Sequence, residues 1–406
     1  MASQRTGEHE PPRIKIKPWH RAKALATSLN QSKLPPKPMR ADLIASEFSL
    51  PGLPVAVRPF GSGNINDTYL AIYRNGRSEQ PAIIQKIRRK IFPEPAAVMH
   101  NLRVLSEHLQ KNLAAEVDDS DRAWRFPEII KTKGGEDFIA EPEGDIWRAL
   151  TFIPGAQTFE AVQGLEHAFE VGHVLGHFHR QVETLPGAQL KEAIPGFHHA
   201  PRYLANFEST LKQSGTQALL QASASARSAI DFIVARKSAL LTLSNAVEQG
   251  KLKLSVTHGD PKSGNVMIDN QTGQGVGLID LDTVQAGLRE HDLGDAVRSL
   301  CNPAGEDPLK LSDVGLDLEL LKAFVDGYRI ESSKIPNLSS EAFGYDAILG
   351  MTLELGLRFL TDHLNGDRYF KVRQPGHNLY RAQAQFKLVE SIEAQEREIR
   401  EIVQGI

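Results

Sequence analysis

A single cysteine, Cys301, in 406 residues leaves no partner for a disulfide within the chain and points to a reducing compartment. No run of about 18 apolar residues occurs, and the N-terminus has no apolar core of the kind a secretory leader carries. Neither a membrane helix nor export is therefore expected, and the cytoplasm is the expected location. Net charge is nearly absent as well, since 47 Lys+Arg stand against 50 Asp+Glu for a formal −3. A hydrophobic fraction of 41% and a charged fraction of 24% are those of an ordinary globular protein, which sets aside disorder throughout, collagen and membrane barrels. The length leaves room for two or three domains, or for one large enzyme of two lobes.

The near-neutral total hides an uneven distribution. Residues 1–40 carry a net +7 and the remainder −10. A body of that sign is not a general nucleic-acid binder, and no nucleic-acid partner is expected. Pro11, Pro12, Pro18, Pro35, Pro36 and Pro38 interrupt the basic head too often for a helix or strand to run through most of it, so residues 1–40 read as a mobile extension whose partner is left open.

From residue 43 the texture changes. Strand-like segments at 55–60, 68–73 and 82–87, the first two separated by Gly61-Ser62-Gly63-Asn64-Ile65-Asn66, lead into a helix over about 95–110 with Val98, Leu102, Leu105 and Leu109 at helical spacing. Further strands are expected at 128–132, 138–140 and 147–152, giving a small, mostly antiparallel sheet over 43–153. After Pro154 helices dominate, at about 159–182, 200–212, 216–249, 308–329, 340–363 and 377–404, with strands at 256–258, 266–268 and 277–279. The last helix reads as a solvated face full of Glu/Arg pairs.

The chemistry concentrates in His258-Gly259-Asp260-Pro261-Lys262-Ser263-Gly264-Asn265, followed fifteen residues after Asn265 by Asp280-Leu281-Asp282. Apolar strands precede both segments, so the polar residues would project from strand ends into one cleft. Phosphoryl transfer from a metal-bound nucleotide needs a carboxylate to take the proton of the attacking hydroxyl, hard oxygen ligands for Mg²⁺, and a cation near the transferring phosphate. Asp260 suits the first task, Asn265 and Asp280 the second, and Lys262 the third. Asp282 would bind a second metal or orient the loop. The competing account is a hairpin with turn-forming Asp and Asn.

The glycine-rich turn lies where a backbone can approach phosphates. Gly61, Ser62, Gly63, Asn64, Asn66 and Thr68 are its candidate ATP contacts, and no Gly-Lys-Ser/Thr follows to make it a Walker loop. On the next strand Gln85 and Lys86 point to opposite faces, so one of them can meet the nucleotide; Gln85 is favoured because it shares the parity of Ile83. Glu107 on the following helix is its candidate partner.

The His-Gly-Asp-x-x-x-x-Asn and Ile-Asp-x-Asp pair resembles that of the aminoglycoside-phosphotransferase-like small-molecule kinases. A narrower resemblance, to N-acetylhexosamine 1-kinases, spreads over about 42–395. It includes residues 60–70, Ile84-Gln85-Lys86-Ile87, Trp147-Arg148, Ile194-Pro195-Gly196-Phe197-His198, residues 279–284, Arg358-Phe359-Leu360-Thr361-Asp362, Gly366-Asp367 with Tyr369-Phe370, and His377-Asn378. Pro261 stands where that family carries Thr, and Asn64 where it usually has His. The resemblance implies an α+β, two-lobed, protein-kinase-like fold and transfer of phosphate from ATP with Mg²⁺ to the anomeric hydroxyl of N-acetylglucosamine or N-acetylgalactosamine. A related kinase for another hydroxyl, or a nucleotide-binding pseudokinase, remains the alternative. A neutral sugar must be held by hydrogen bonds and stacking, and Phe197, His198, Arg298, Arg358, Asp362 and Tyr369 are the candidates. Asp292-Leu293-Gly294-Asp295 suggests a helix N-cap with Arg298 on the first turns, either facing the cleft or in an internal ion pair that fixes the catalytic loop. His177 and His179 are expected to be structural or exposed, on different helix faces.

Overall fold

The computed structural model describes residues 40–61, 66–115, 122–335 and 343–404. The expected basic extension up to residue 39, and Ser62, Gly63 and Asn64 of the glycine-rich turn, lie outside the described residues. No described helix is long and apolar enough to cross a membrane.

The N-terminal half contains α1 (Arg40–Ala45), β1 (Leu53–Pro59), β2 (Asp67–Asn75), β3 (Ser78–Ile87), α2 (Pro95–Ala115), β4 (Ile129–Ile130), β5 (Ile139–Ala140) and β6 (Ile146–Thr151). All pairings are antiparallel, in the order β1-β2-β3-β6-β4, with β5 also beside β6. Because side chains alternate along a strand, the sheet has two distinct faces. Ala71, Tyr73, Ala82, Ile84, Trp147 and Ala149 form one, buried with Ala41, Ala45 and Phe48. The opposite parity puts Ile83, Ile87, Ile146 and Leu150 against Val98, Leu102, Leu105 and Leu109 of α2.

Helix α2 is also bound to the C-terminal half. The Asn101 side chain, 1% exposed, donates to the carbonyls of Lys191 (2.7 Å) and Val284 (2.9 Å) and accepts from the Lys191 amide (2.8 Å). His100 reaches the Gln189 carbonyl at 3.0 Å, and Asn112 donates to that of Gln181 at 2.8 Å.

After β6 come β7 (Ala156–Gln157), α3 (Leu165–Val182), α4 (Ala200–Leu211), α5 (Ser214–Ala222), α6 (Ala224–Ala235), α7 (Lys237–Leu240) and α8 (Thr242–Glu248). Four short strands follow, β8 (Ser255–Thr257), β9 (Val266–Asp269), β10 (Gly275–Leu278) and β11 (Gln285–Gly287), and then α9 (Arg289–Leu300), α10 (Leu318–Ser332), α11 (Gly344–Leu364), α12 (His377–Ala394) and α13 (Glu396–Val403). The strands form two small sheets, β10-β9-β7 and β11-β8. Helix α11 runs through the core, with Leu353, Leu357 and Leu360 fully buried. α3 and α10 cross at backbone contact: a Cβ on Gly172 would lie 2.0 Å from the Phe324 carbonyl oxygen, and one on Gly327 would lie 2.0 Å from that of Phe169. This is the expected α+β class, a sheet-rich half followed by a helical one.

Several expected helices differ. The 216–249 segment is four helices, and α6 starts where the Ser223 side chain accepts from the Ala226 amide at 3.2 Å, a cap that ends one helix and opens the next. The helix expected from 308 begins at Leu318, where Asp317 accepts from the amides of Glu319 (2.9 Å) and Leu320 (3.0 Å). The last helix divides at Gln395, and α12 is no solvated face, since Leu388, Val389 and Ile392 are fully buried. Helix α9 starts at Arg289, ahead of the cap expected at 292–295, and strands β7 and β11 were not expected.

Candidate active site

Strand β8 delivers His258, Gly259 and Asp260 to a loop that backbone requirements shape closely. Gly259 adopts φ +85°, and a Cβ there would lie 2.8 Å from the Thr283 carbonyl oxygen, so glycine is required twice over. The fully buried Asp292 of α9 holds the loop, one oxygen accepting from the His258 amide (2.7 Å) and His179 Nε2 (3.0 Å), the other from the Gly259 amide (2.8 Å). Burial works against the Asp292 charge, but the hydrogen bond and charge of His179 and the Gly259 amide more than offset it, holding this carboxyl below the usual range. His258 is kept neutral by burial; its Nε2 donates to the Ile279 carbonyl (3.1 Å) and its Nδ1 accepts from the Asp260 amide (3.2 Å).

Asp260 Oδ2 accepts from Lys262 Nζ at 2.7 Å and from the Asn265 amide at 3.3 Å, and that same amide donates to the Asp260 carbonyl at 2.7 Å. Burial, with the charge of Asp295, raises the Asp260 carboxyl above its ordinary value, against the pull of Lys262. Asp280 sits in the left-handed region at φ 62°, ψ 51°, a conformation a non-glycine residue holds only when its surroundings impose it. Burial first, then the neighbouring charges of Asp282 and Asp260, push its carboxyl up to about 7.

The sheet contributes a row in register. Thr68, Gln85 and Arg148 are cross-strand partners on β2, β3 and β6. Gln85 Nε2 donates to Thr68 Oγ1 at 3.1 Å, while its Oε1 accepts from Arg148 Nε (3.0 Å) and a terminal nitrogen (2.7 Å). That terminal nitrogen also lies 2.5 Å from Asp282 Oδ1, and Asn66 donates to Asp282 Oδ2 at 2.6 Å. Lys86 faces the other way, paired with Glu141 (2.9 Å) and Asp145 (3.0 Å) beside Trp147. The parity reading thus holds for orientation, but the partner of Gln85 is Arg148, and Glu107 is exposed on α2. Asp282, expected to bind a second metal or to orient the loop, contacts Arg148 and Asn66.

On the other side of Asp260, His198 at φ 53° places Nδ1 2.8 Å from Glu354 and Nε2 2.9 Å from the Gly259 carbonyl. Both partners are acceptors, so both nitrogens donate and the ring is an imidazolium. Burial opposes that charge, yet the Glu354 carboxylate raises the His198 pKa above the ordinary value. Arg358 lies 3.7 Å from Glu354 among the rings of Tyr203 (5.1 Å), Phe197 (5.7 Å) and Phe370 (5.8 Å).

Two expected acceptor residues, Arg298 and Asp362, are engaged within the chain. Arg298 lies in the last turn of α9, not the first, because the helix starts at Arg289; it is buried against Asp295 (2.6 Å) and Glu306 (2.9 Å). Asp362 accepts the amides of Arg368, Tyr369 and Phe370 and the Asn378 side chain, all at 2.9–3.0 Å, which shapes the turn after α11. Tyr369 stands 53% exposed on that turn. His177 and His179 are both fully buried, the first stacked on Trp124 with ring centroids 3.5 Å apart, the second between Asp292 and the Tyr328 hydroxyl (2.9 Å). Neither is exposed.

A model of the phosphotransferase enzyme family (APH) matches residues 56–328, two thirds of the sequence. The chain belongs to that family. Among solved structures, this phosphotransferase resembles a microcompartment-associated aminopropanol kinase at 18% identity, covering 84% of this chain and 93% of that one with a TM-score of 0.54. An aminoglycoside phosphotransferase from Alicyclobacillus acidocaldarius matches at 14% identity, 92% and 98% coverage and 0.55, and an ethanolamine kinase from Plasmodium vivax at 12%, 81% and 82%, and 0.51. At such identities the likeness is one of fold.

Sequence reasoning missed two residues that organise the phosphotransferase site. Arg148 was signalled by a cation inside an otherwise apolar strand, Ile146–Thr151, all buried but its last residue. Asp292 was signalled by acidic residues interleaved with Leu293, Ala296, Val297 and Leu300 at helical spacing.

Proposed function

We propose that this phosphotransferase moves the terminal phosphoryl group of ATP to the hydroxyl of a small neutral acceptor, the anomeric hydroxyl of an N-acetylhexosamine such as N-acetylglucosamine or N-acetylgalactosamine. The observation that carries the kinase reading is the joined loop, in which Asp260, Lys262, Asn265 and Asp280 come from two strand ends into one carboxylate-rich corner. Asp260 takes the proton of the acceptor hydroxyl as its oxygen bonds to the phosphorus and the bond to the ADP oxygen breaks. Its raised pKa brings this base nearer neutral pH than an ordinary carboxylate. Lys262, held cationic by Asp260, steadies charge on the transferring group.

The donor set fits a hard divalent cation. Among the described residues no three His, Cys, Asp or Glu side chains are placed to hold a metal by themselves. Mg²⁺, however, takes one or two protein oxygens together with substrate phosphates. The Asn265 amide nitrogen is committed to Asp260, which leaves its carbonyl oxygen, and Asp280 has a charge that its neighbours disfavour. Asn265 and Asp280 would hold the ion, which neutralises triphosphate charge when bound.

The acceptor choice is supported by the resemblance in the sequence and by the charges around Asp260. Two structural neighbours are named for amino-alcohol kinases, and an ammonium acceptor would need an uncommitted carboxylate. Asp295 is paired with Arg298, and Glu354 with His198 and Arg358. Arg358, by contrast, has no hydrogen bond among the described residues and offers donors between aromatic rings suited to a sugar. The test is MgATP turnover with N-acetylglucosamine, N-acetylgalactosamine, glucose, ethanolamine, choline and kanamycin, in the parent and in Asp260→Asn. Turnover on an N-acetylhexosamine, lost by about a hundredfold or more in the variant, supports the proposal. Turnover confined to the amino alcohols overturns the acceptor, and ATP binding without turnover on any compound overturns the transferase reading of the site.

A further inference from the structure

The site as read so far has no cation on β3 to meet the nucleotide phosphates. Gln85 occupies the cleft-facing position and is uncharged. Lys86 cannot replace it, because alternation places its side chain on the other face, where Glu141 and Asp145 already bind it. Arg148 on the adjacent strand stands directly beside Gln85, with its side chain 1% exposed. Burying a guanidinium is costly unless its charge is paired and its donors are used. Asp282 pairs the charge and Gln85 takes two N–H groups, but Nη1 is buried with no hydrogen-bond partner. An unsatisfied buried donor on a fully ionised group, two residues along the chain from Asp280 by way of its counterion, calls for a ligand.

We propose that Arg148 is the phosphate-binding cation of this phosphotransferase, supplied from β6 in place of a β3 lysine, with Gln85 and Asp282 as its positioning residues. This rests on the kinase reading of the site. The guanidinium fork suits it to two oxygens of a di- or triphosphate, a geometry that a lysine ammonium cannot reproduce. Asp282 also accepts from Asn66, so the same carboxylate holds both the cation and this asparagine. It acts on the nucleotide through them.

The experiment is calorimetric titration of the full chain with ATP and, separately, adenosine, in the presence of Mg²⁺ and without acceptor. The proteins are the parent, Arg148→Met, Arg148→Lys, and the double variant Arg148→Met/Asp282→Asn, which leaves no buried charge unpaired. Arg148→Met is expected to weaken ATP binding about ten- to hundredfold with adenosine affinity changed less than about twofold. Arg148→Lys should recover part of the loss, and the double variant should keep the weak ATP binding with a melting temperature close to the parent's. Parent-like ATP affinity in the double variant, or equal loss of ATP and adenosine, overturns the inference and makes Arg148 a structural tie. A parent that binds neither compound overturns the kinase reading, and this inference with it.

Discussion

Replacing Asp292 by Asn is the sharpest test of how the catalytic loop is held. The carboxylate accepts three hydrogen bonds, from the amides of His258 and Gly259 and from His179. Asparagine has one acceptor oxygen, so its best rotamer keeps two donors satisfied and turns an NH₂ toward the third. One buried N–H is then orphaned, at about 1–3 kcal/mol, and the surviving bonds lose their ionic character, at about 1 kcal/mol each. The total, about 3–5 kcal/mol, is a large part of the roughly 5–15 kcal/mol that stabilises a typical domain. Urea denaturation at neutral pH should show a lower midpoint with an unchanged slope. Turnover at saturating substrates should fall as well, because the Gly259 amide is one residue from the base. The pH dependence follows from the lowered Asp292 pKa. Its contribution is fully present above the unfolded value of about 3.9 and is lost as pH falls through the lower folded value, so the gap between parent and variant should narrow below about pH 4. A loss under about 1 kcal/mol with full turnover would refute this account of the loop.

Three further outcomes are expected. His198 has a raised pKa, so its imidazolium contributes fully below the unfolded value of about 6.5 and is lost as pH rises through the folded one; the stability gap between the parent and His198→Gln, followed by denaturation across pH 6–9, should shrink toward the alkaline end, and a constant gap would count against a charged ring. Gly172→Ala forces a methyl against the Phe324 carbonyl where α3 crosses α10, and should cost about 3 kcal/mol or more in a thermal melt, whereas Gly250→Ala, at an exposed turn, should cost about 1 kcal/mol. Removal of residues 1–39 should leave turnover within about twofold, since the family match starts at residue 56; a large loss would place part of the enzyme in the basic head.

What could be read from the sequence was what local chemistry decides. Alternation along β2 and β3 assigned Gln85 and Lys86 to opposite faces, and an apolar strand ahead of His258-Gly259-Asp260 marked the loop. The start of helix α9 was misplaced because Glu290 and Asp292 look like solvent-facing or capping residues; Asp292 and Arg298 are buried against partners from distant segments, His179 and Glu306. Asp362 was taken for a sugar ligand because it lies in a stretch that carries the family resemblance and a neutral sugar needs hydrogen bonds; its three backbone amides come from a turn whose path depends on tertiary packing. Arg148 gave a signal, a charge in a buried strand, but its meaning depends on Asp282, 134 positions away, and no periodicity conveys that.

The Asn101 clasp has a consequence for motion. A side chain with three hydrogen bonds to the backbone of the helical half, reinforced from His100 and Asn112, anchors α2 to that half although the helix also packs on the sheet. Closing over a nucleotide would therefore bend the strands across a stationary helix rather than swing sheet and helix together. Outward rotation of this helix would first have to break the three hydrogen bonds of the buried Asn101 side chain.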